Sequence, residues 1–181
     1  MLGRIVASAT ALLLIACGAA STVAPPPPLD ADALASPSVL AVVDRQVILD
    51  EAVDPESVAV ALGAAGFQAG AERIARDRDA RVRETSGRVL RFASEEGAQA
   101  WADYVRTHPV DAVGAAPAAG TIGRATVYRH LPGGCCPGKD LPSWTAVAVS
   151  GATVAVVTVR GPDVTRDDLA AAMLTAGLAI T

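Results

Sequence analysis

Thr145-Ala146-Val147-Ala148-Val149, Ser150-Gly151-Ala152 and Thr153-Val154-Ala155-Val156-Val157-Thr158-Val159 form the continuous stretch that decides the fold. Its two flanks are runs rich in β-branched residues, and a link of three small residues joins them, so the stretch predicts a β-hairpin. Just downstream, Thr165 and Asp168 have capping-box spacing, and Leu169, Ala172, Met173 and Ala176 fall on one helical face before Gly177. A hairpin followed by a helix is therefore the local unit at this end of the chain.

The same unit occurs upstream. Ala71 to Arg78 and Arg81 to Ala93 read as an extended ribbon carrying Ile74, Val82, Val89, Leu90 and Phe92, with Ser86-Gly87 as its candidate turn. Ser94 then predicts a helix N-cap, with Glu95 and Glu96 in the first turn and Ala98, Trp101, Ala102 and Val105 as the buried stripe. His108-Pro109 ends that helix, because a residue before proline avoids helical angles. Before the ribbon, Asp54-Pro55-Glu56 starts a helix over 55–65 with Val58, Ala61, Leu62 and Ala65 on one face and Gly66 after its end. Val39 to Val43 and Val47 to Leu49 are apolar runs too brief to assign, and Ala112 to Gly123 reads as a loop of small residues before a strand at Arg124 to Leu131. The expected class is α+β: an antiparallel sheet with helices packed on one face, built from hairpin-helix units in a single domain over 39–181.

Composition narrows the function. The chain has 181 residues, 51% of them hydrophobic, which excludes a globally disordered protein. A net charge of −4 argues against nucleic acid as a partner, since phosphate binding needs a basic surface. Aromatic residues at 3% leave little for stacking bases or sugars.

The N-terminus reads as an address. Arg4 precedes an apolar stretch from Ile5 to Ala16, which as a helix spans only about 18 Å against roughly 30 Å of bilayer hydrocarbon. A secretory signal over 1–16 fits that length better than a membrane span does. Leu14-Ile15-Ala16-Cys17 resembles the lipobox of bacterial lipoproteins. The resemblance implies cleavage before Cys17, diacylglyceryl alkylation of its thiol and stable anchoring by acyl chains on the extracytoplasmic side of the membrane. The alternative is ordinary secretion with cleavage at Gly18-Ala19-Ala20. Residues 17–38 include Pro25 to Pro28, which favour an extended polyproline tether. The stalk, the Ala-rich domain and Phe92-Ala93-Ser94-Glu95-Glu96-Gly97-Ala98 together resemble small actinobacterial lipoproteins, which implies a location in the cell envelope and no particular reaction.

With Cys17 lipidated, Cys135 and Cys136 are the two remaining thiols. A vicinal disulfide, an intermolecular bridge and free thiols are the three outcomes. A vicinal bridge is strained and readily reduced, and the flanking glycines and prolines suit its tight turn. The absence of Cys-x-x-Cys disfavours a thioredoxin-like oxidoreductase. His130 could join Cys135 and Cys136 at a zinc or copper ion, but the spacing matches no metal motif, and no metal or other cofactor is expected. His108 complements a helix dipole. No Gly-x-Ser-x-Gly elbow, phosphate-binding loop or His-Glu-x-x-His occurs, so no catalytic residue is assigned. Seven arginines (73, 76, 78, 81, 83, 88 and 91) crowd the ribbon with Glu72, Asp77, Asp79 and Glu84, as a solvated strand face laced with ion pairs or a surface for anionic headgroups. Trp101 and Trp144 are expected as core anchors.

These readings converge on a membrane-anchored envelope lipoprotein acting as a non-catalytic binding module for an envelope protein or ligand. The alternatives are a thiol-redox or metal-handling lipoprotein using Cys135 and Cys136, and an envelope lipid carrier. Protein extracted from its host's membranes and thiol-blocked at lysis should have an intact mass that begins at an acylated Cys17. An unlipidated chain cut elsewhere would refute the anchor.

Overall fold

The hairpin that dominates the sequence occupies the middle of a seven-stranded antiparallel sheet. The computed structural model describes residues 38–78, 80–114, 118–131 and 141–176. The segment read as a signal peptide, Cys17 and all of the expected tether but Ser38 lie outside them. In chain order the elements are β1 (Ser38–Val43), α1 (Arg45–Glu51), α2 (Pro55–Ala65), β2 (Phe67–Arg76), β3 (Glu84–Phe92), α3 (Glu95–Thr107), α4 (Pro109–Val113), β4 (Thr121–Ile122), β5 (Ala125–His130), β6 (Ser143–Ser150), β7 (Thr153–Arg160) and α5 (Arg166–Thr175). The sheet runs β1-β2-β3-β7-β6-β5-β4, and every neighbouring pair is antiparallel. The last strand is thus the central one.

Alternation along the strands divides the core in two. Leu90 and Phe92 of β3, Val154 of β7, Val147 of β6 and Tyr128 of β5 pack with Ile48, Val58, Leu62, Ala98, Trp101 and Val105, so α1 to α3 cover one face, with Ala112 and Val113 of α4 packed beside them. Val157 and Val159 of β7, Ala146 of β6 and Val127 of β5 point the other way and meet Leu169 and Met173 of α5. The structure is α+β with an antiparallel sheet, as expected. Four helices share one face, while α5 lies on the opposite one, because β7 has apolar residues at successive positions and both of its faces need cover.

The helix ends follow the residues read as caps. Asp54 accepts from Ser57 N, Pro55 opens α2, and Gly66 closes it at φ 69°. Ser94 accepts from Gly97 N at the start of α3. A side chain at Gly97 would put Cβ 2.1 Å from the Ala65 carbonyl oxygen, so only glycine lets α3 approach the end of α2 this closely. Asp44 caps α1 by accepting from Val47 N, which makes the unassigned 47–49 run part of a helix. Pro109 both ends α3 and opens the short α4, so the expected loop from Ala112 begins inside a helix.

Ser86-Gly87 does not turn. Both lie inside β3, with Gly87 paired to Arg73 of β2 and Val157 of β7. The ribbon reverses over 77–83 instead, where Asp77 N donates to Arg83 O and Arg83 N to Arg160 O. A break at Gly87 would forfeit the ladder that β3 makes with β7. The hairpin between β6 and β7 turns at Gly151, φ 53°, as its sequence indicates.

Asp168 ties the 77–83 turn to α5. Its side chain accepts from Thr165 N at 2.7 Å in a complete capping box, and both terminal nitrogens of Arg81 donate to its carboxylate. The Arg81 hydrogen bonds hold this carboxyl well below the usual carboxylate range, with the Thr165 bonds adding to them against partial burial. A depressed folded-state pKa gives stability that is present above the unfolded value of about 4 and is lost as pH falls through the folded one. Asp168→Asn should therefore lower stability by about 1 kcal/mol at pH 7, with the gap from wild type closing towards pH 2, as read from urea midpoints across that range.

Candidate functional site

On the face that carries α1 to α4, the strand register builds rows of side chains across the sheet, since residues paired in a ladder point to the same side. Beneath the helices runs an apolar row, Gly70, Leu90, Val154 and Val149. The next row is Glu72, Arg88, Val156 and Val147. Beyond it lies a largely hydroxyl row, Ile74, Ser86, Thr158 and Thr145, and then a charged one, Arg76, Glu84, Arg160, Ser143 and His130.

The helices stop short of those outer rows. What remains is an open cleft of about 540 Å³ whose floor is the sheet, with Glu51 at the end of α1, Ala112 and Val113 of α4 and the following Gly114 also lining it. In the floor, the Thr145 and Thr158 hydroxyls are 3.0 Å apart and hydrogen-bonded.

Charge in the cleft is organised into two clusters. At the inner one, Arg88 donates from Nη1 and Nη2 to the two oxygens of Glu51 at 2.8 and 3.0 Å, and its Nη2 lies 3.1 Å from Glu72 Oε1. Burial pushes the Arg88 guanidinium down, but hydrogen bonds and charge from Glu51 and Glu72 more than offset this and hold it above its ordinary value. Two carboxylates on one guanidinium leave a net charge of about −1. At the outer cluster, Arg76 Nε donates to Glu84 Oε2 at 2.8 Å and Arg160 Nη1 lies 3.6 Å from Glu84 Oε1, which leaves about +1. Glu72 and Arg76 are four residues apart on β2, so the clusters stand about 13 Å apart along the strand.

His130 lines this cleft at the end of β5, half-buried in the charged row and paired in register with Ser143. Cys135 and Cys136 lie outside the described residues, in the connection from β5 to β6 that leaves the sheet next to His130 and returns next to Ser143. Cys17 and Asp79 are also outside them. Among the described residues no three His, Cys, Asp or Glu side chains gather as a metal site, and no helix is long and apolar enough to cross a membrane.

The arginine-rich ribbon is not one solvated face. Alternation sends Glu72, Arg76, Glu84 and Arg88 into the cleft, whereas Arg73 and Arg91 belong to the opposite side of the sheet, Arg73 as a buried residue. His108 stacks on Tyr104 with ring centroids 4.7 Å apart and hydrogen-bonds Thr107 through Nδ1. Trp101 is a core residue between Phe92 and Tyr104, while Trp144 is half-buried with the Arg129 guanidinium 5.2 Å from its ring centroid.

Sequence reasoning does not single out Glu51, Arg160, Thr145 or Thr158, and it places Glu72 and Arg88 only in the charged ribbon, not in a cleft. The available signal is polar residues interrupting otherwise apolar strands, such as Thr158 in β7 and Arg88 beside Val89-Leu90, but only the register shows that they meet.

The fold and cleft define an α+β domain with an open polar groove on one face of its sheet. No family model matches the chain, and no curated protein is similar to it. Among solved structures, the extracellular domain of PknH from Mycobacterium tuberculosis aligns over 77% of this chain and 76% of its own, at 13% identity and a TM-score of 0.40. A similarity that low carries no argument about function.

The inner cluster also has a structural consequence. The Arg88 and Glu72 side chains are only 16% and 12% exposed, whereas Glu51 is 53% exposed. Arg88→Ala should cost about 3 kcal/mol by leaving a largely buried carboxylate unpaired. Glu51→Gln should cost less than about 1 kcal/mol, and urea unfolding of the two variants at equal salt compares them.

Proposed function

We propose that this chain is a cell-envelope lipoprotein, anchored through Cys17 on the extracytoplasmic side of the membrane, whose α+β domain is a non-catalytic binding module that takes a small polar ligand in the cleft. The observation that carries the binding reading is the cleft itself. Its floor is made of hydroxyl and charged rows that five strands hold in register, on the part of the sheet that the helices leave open. A rigid sheet suits recognition because its side chains are held in place before the ligand arrives.

The acidic side chains of the cleft are held in ion pairs. Glu51 and Glu72 are bound to Arg88, and Glu84 lies between Arg76 and Arg160. The anchor rests on Leu14-Ile15-Ala16-Cys17 and the apolar stretch before it. The acyl chains and the Pro-rich tether would hold the domain within reach of envelope components of modest size.

A second reading, thiol-redox or metal handling by Cys135 and Cys136, draws on one observation. His130 sits at the rim of the cleft, just before the connection that carries both thiols. A lipid carrier is a poorer match, since an acyl chain needs apolar walls and this cleft has them only around Ile74, Ala112, Val113 and Val156.

Photo-crosslinking on the host's cells tests the binding reading. A photoreactive residue in place of Ser86 in the floor should gain a small adduct by intact mass. The same residue in place of Leu174, exposed on α5 across the sheet, should not. Equal adducts at both sites, or none at Ser86, would refute a ligand in the cleft.

A further inference from the structure

The charge pattern of the cleft defines a ligand class. We infer that it takes a peptide of three or four residues with free ends, laid along the strands, its ammonium at Glu51 and Glu72 and its carboxylate at Arg76 and Arg160. This rests on the binding reading above and says what that site recognises.

Three observations carry it. First, the two clusters have opposite net charge and sit at opposite ends of one open groove, so the site is a fixed dipole. A ligand of a single sign would be attracted at one end and repelled at the other. A zwitterion with the matching orientation gains at both.

Second, each cluster keeps hydrogen-bonding capacity for a guest. An ionised carboxylate offers about four acceptor sites, and the three contacts made by Arg88 use only part of what Glu51 and Glu72 present. An ammonium has three donors to place there. At the other end, Arg76 reaches Glu84 through Nε and Arg160 through one Nη. Terminal nitrogens of both, on side chains 62% and 49% exposed, are left to grip a carboxylate.

Third, the length is selective. The separation of about 13 Å between clusters corresponds to three or four extended residues at roughly 3.3–3.6 Å each. A single amino acid cannot reach both ends, and a long chain cannot place both of its termini. Between the clusters, Ser86 and the hydrogen-bonded Thr145 and Thr158 hydroxyls offer polar contacts to a peptide backbone without demanding particular side chains.

The test is calorimetric titration of the full-length protein in detergent with trialanine and tetraalanine, each supplied with free ends, N-acetylated or C-amidated. The free-ended peptides should bind, and either block should weaken binding at least tenfold. Glu72→Gln should weaken free-ended tetraalanine about fivefold or more and leave the N-acetylated form unchanged. Arg160→Gln should do the same with respect to the C-amidated form. Equal binding of blocked and free peptides to the wild-type protein would overturn the inference, as would no binding of any of them at millimolar concentration. The wild-type comparison does not depend on whether a variant folds. If peptides fail while Ser86 still gains a small adduct on cells, the ligand is of another class and the binding reading stands. If both fail, the two fall together.

Discussion

Insertion of β7 between β3 and β6 is the constraint on which the rest of this structure depends. Without it the chain would make two separate antiparallel pieces, β1-β2-β3 and β4-β5-β6, each with an exposed edge where β7 now sits. Val154, Val157 and Val159 of β7 are at most 1% exposed and divide between the two faces. Burying each contributes roughly 1.5 kcal/mol or more, so this strand is where both cores are joined. The pairing of β3 with β7 closes a loop containing α3, α4, β4, β5 and β6, an entropic cost that the two-sided burial must offset.

The cleft follows from the same arrangement. Four or five strands in register carry each row across the sheet, so the residue types at one level of β3 and β7 set the character of the whole floor. Gly70, Leu90 and Val154 make an apolar level that needs cover, and α2 and α3 lie over that end of the sheet. Two levels further on, hydroxyls and charges satisfy one another and need no helix above them. An open polar groove is thus the natural end of a sheet whose helices are shorter than its strands. Its ion pairs are useful in two ways: they neutralise groups that are partly buried, and they leave a dipole along the groove.

Much of the fold is legible in the residues because the signals are local. The Asp54-Pro55 start, the Gly66 stop, the Ser94 cap and the Thr165/Asp168 box each satisfy backbone groups within a few residues, and all four occur as read. Ser86-Gly87 has the composition of a turn, but pairing with two neighbouring strands keeps it extended. Val47 to Leu49 is too short for a helical period to show, and its cap, Asp44, matters only because Ile48 has a core to enter. Of the candidate metal ligands read from sequence, His130 is the described one and lies in the cleft, beside Glu72, Arg76, Glu84 and Arg88 of the charged ribbon, and the groups around it come from four other strands and two helices.

Sequence alone determined the elements whose causes lie within a turn or two of helix or strand: caps, the turn at Ser150-Gly151-Ala152, apolar stripes and the α+β class. The resemblance of Leu14-Ile15-Ala16-Cys17 to a lipobox is likewise a property of the linear string. Tertiary structure alone decided that the last strand is central, that α5 takes the face opposite the other helices, and that Arg88 meets both Glu51 and Glu72. Those depend on strand order and register, and register couples residues far apart in the chain through ladder bonds that no local pattern encodes.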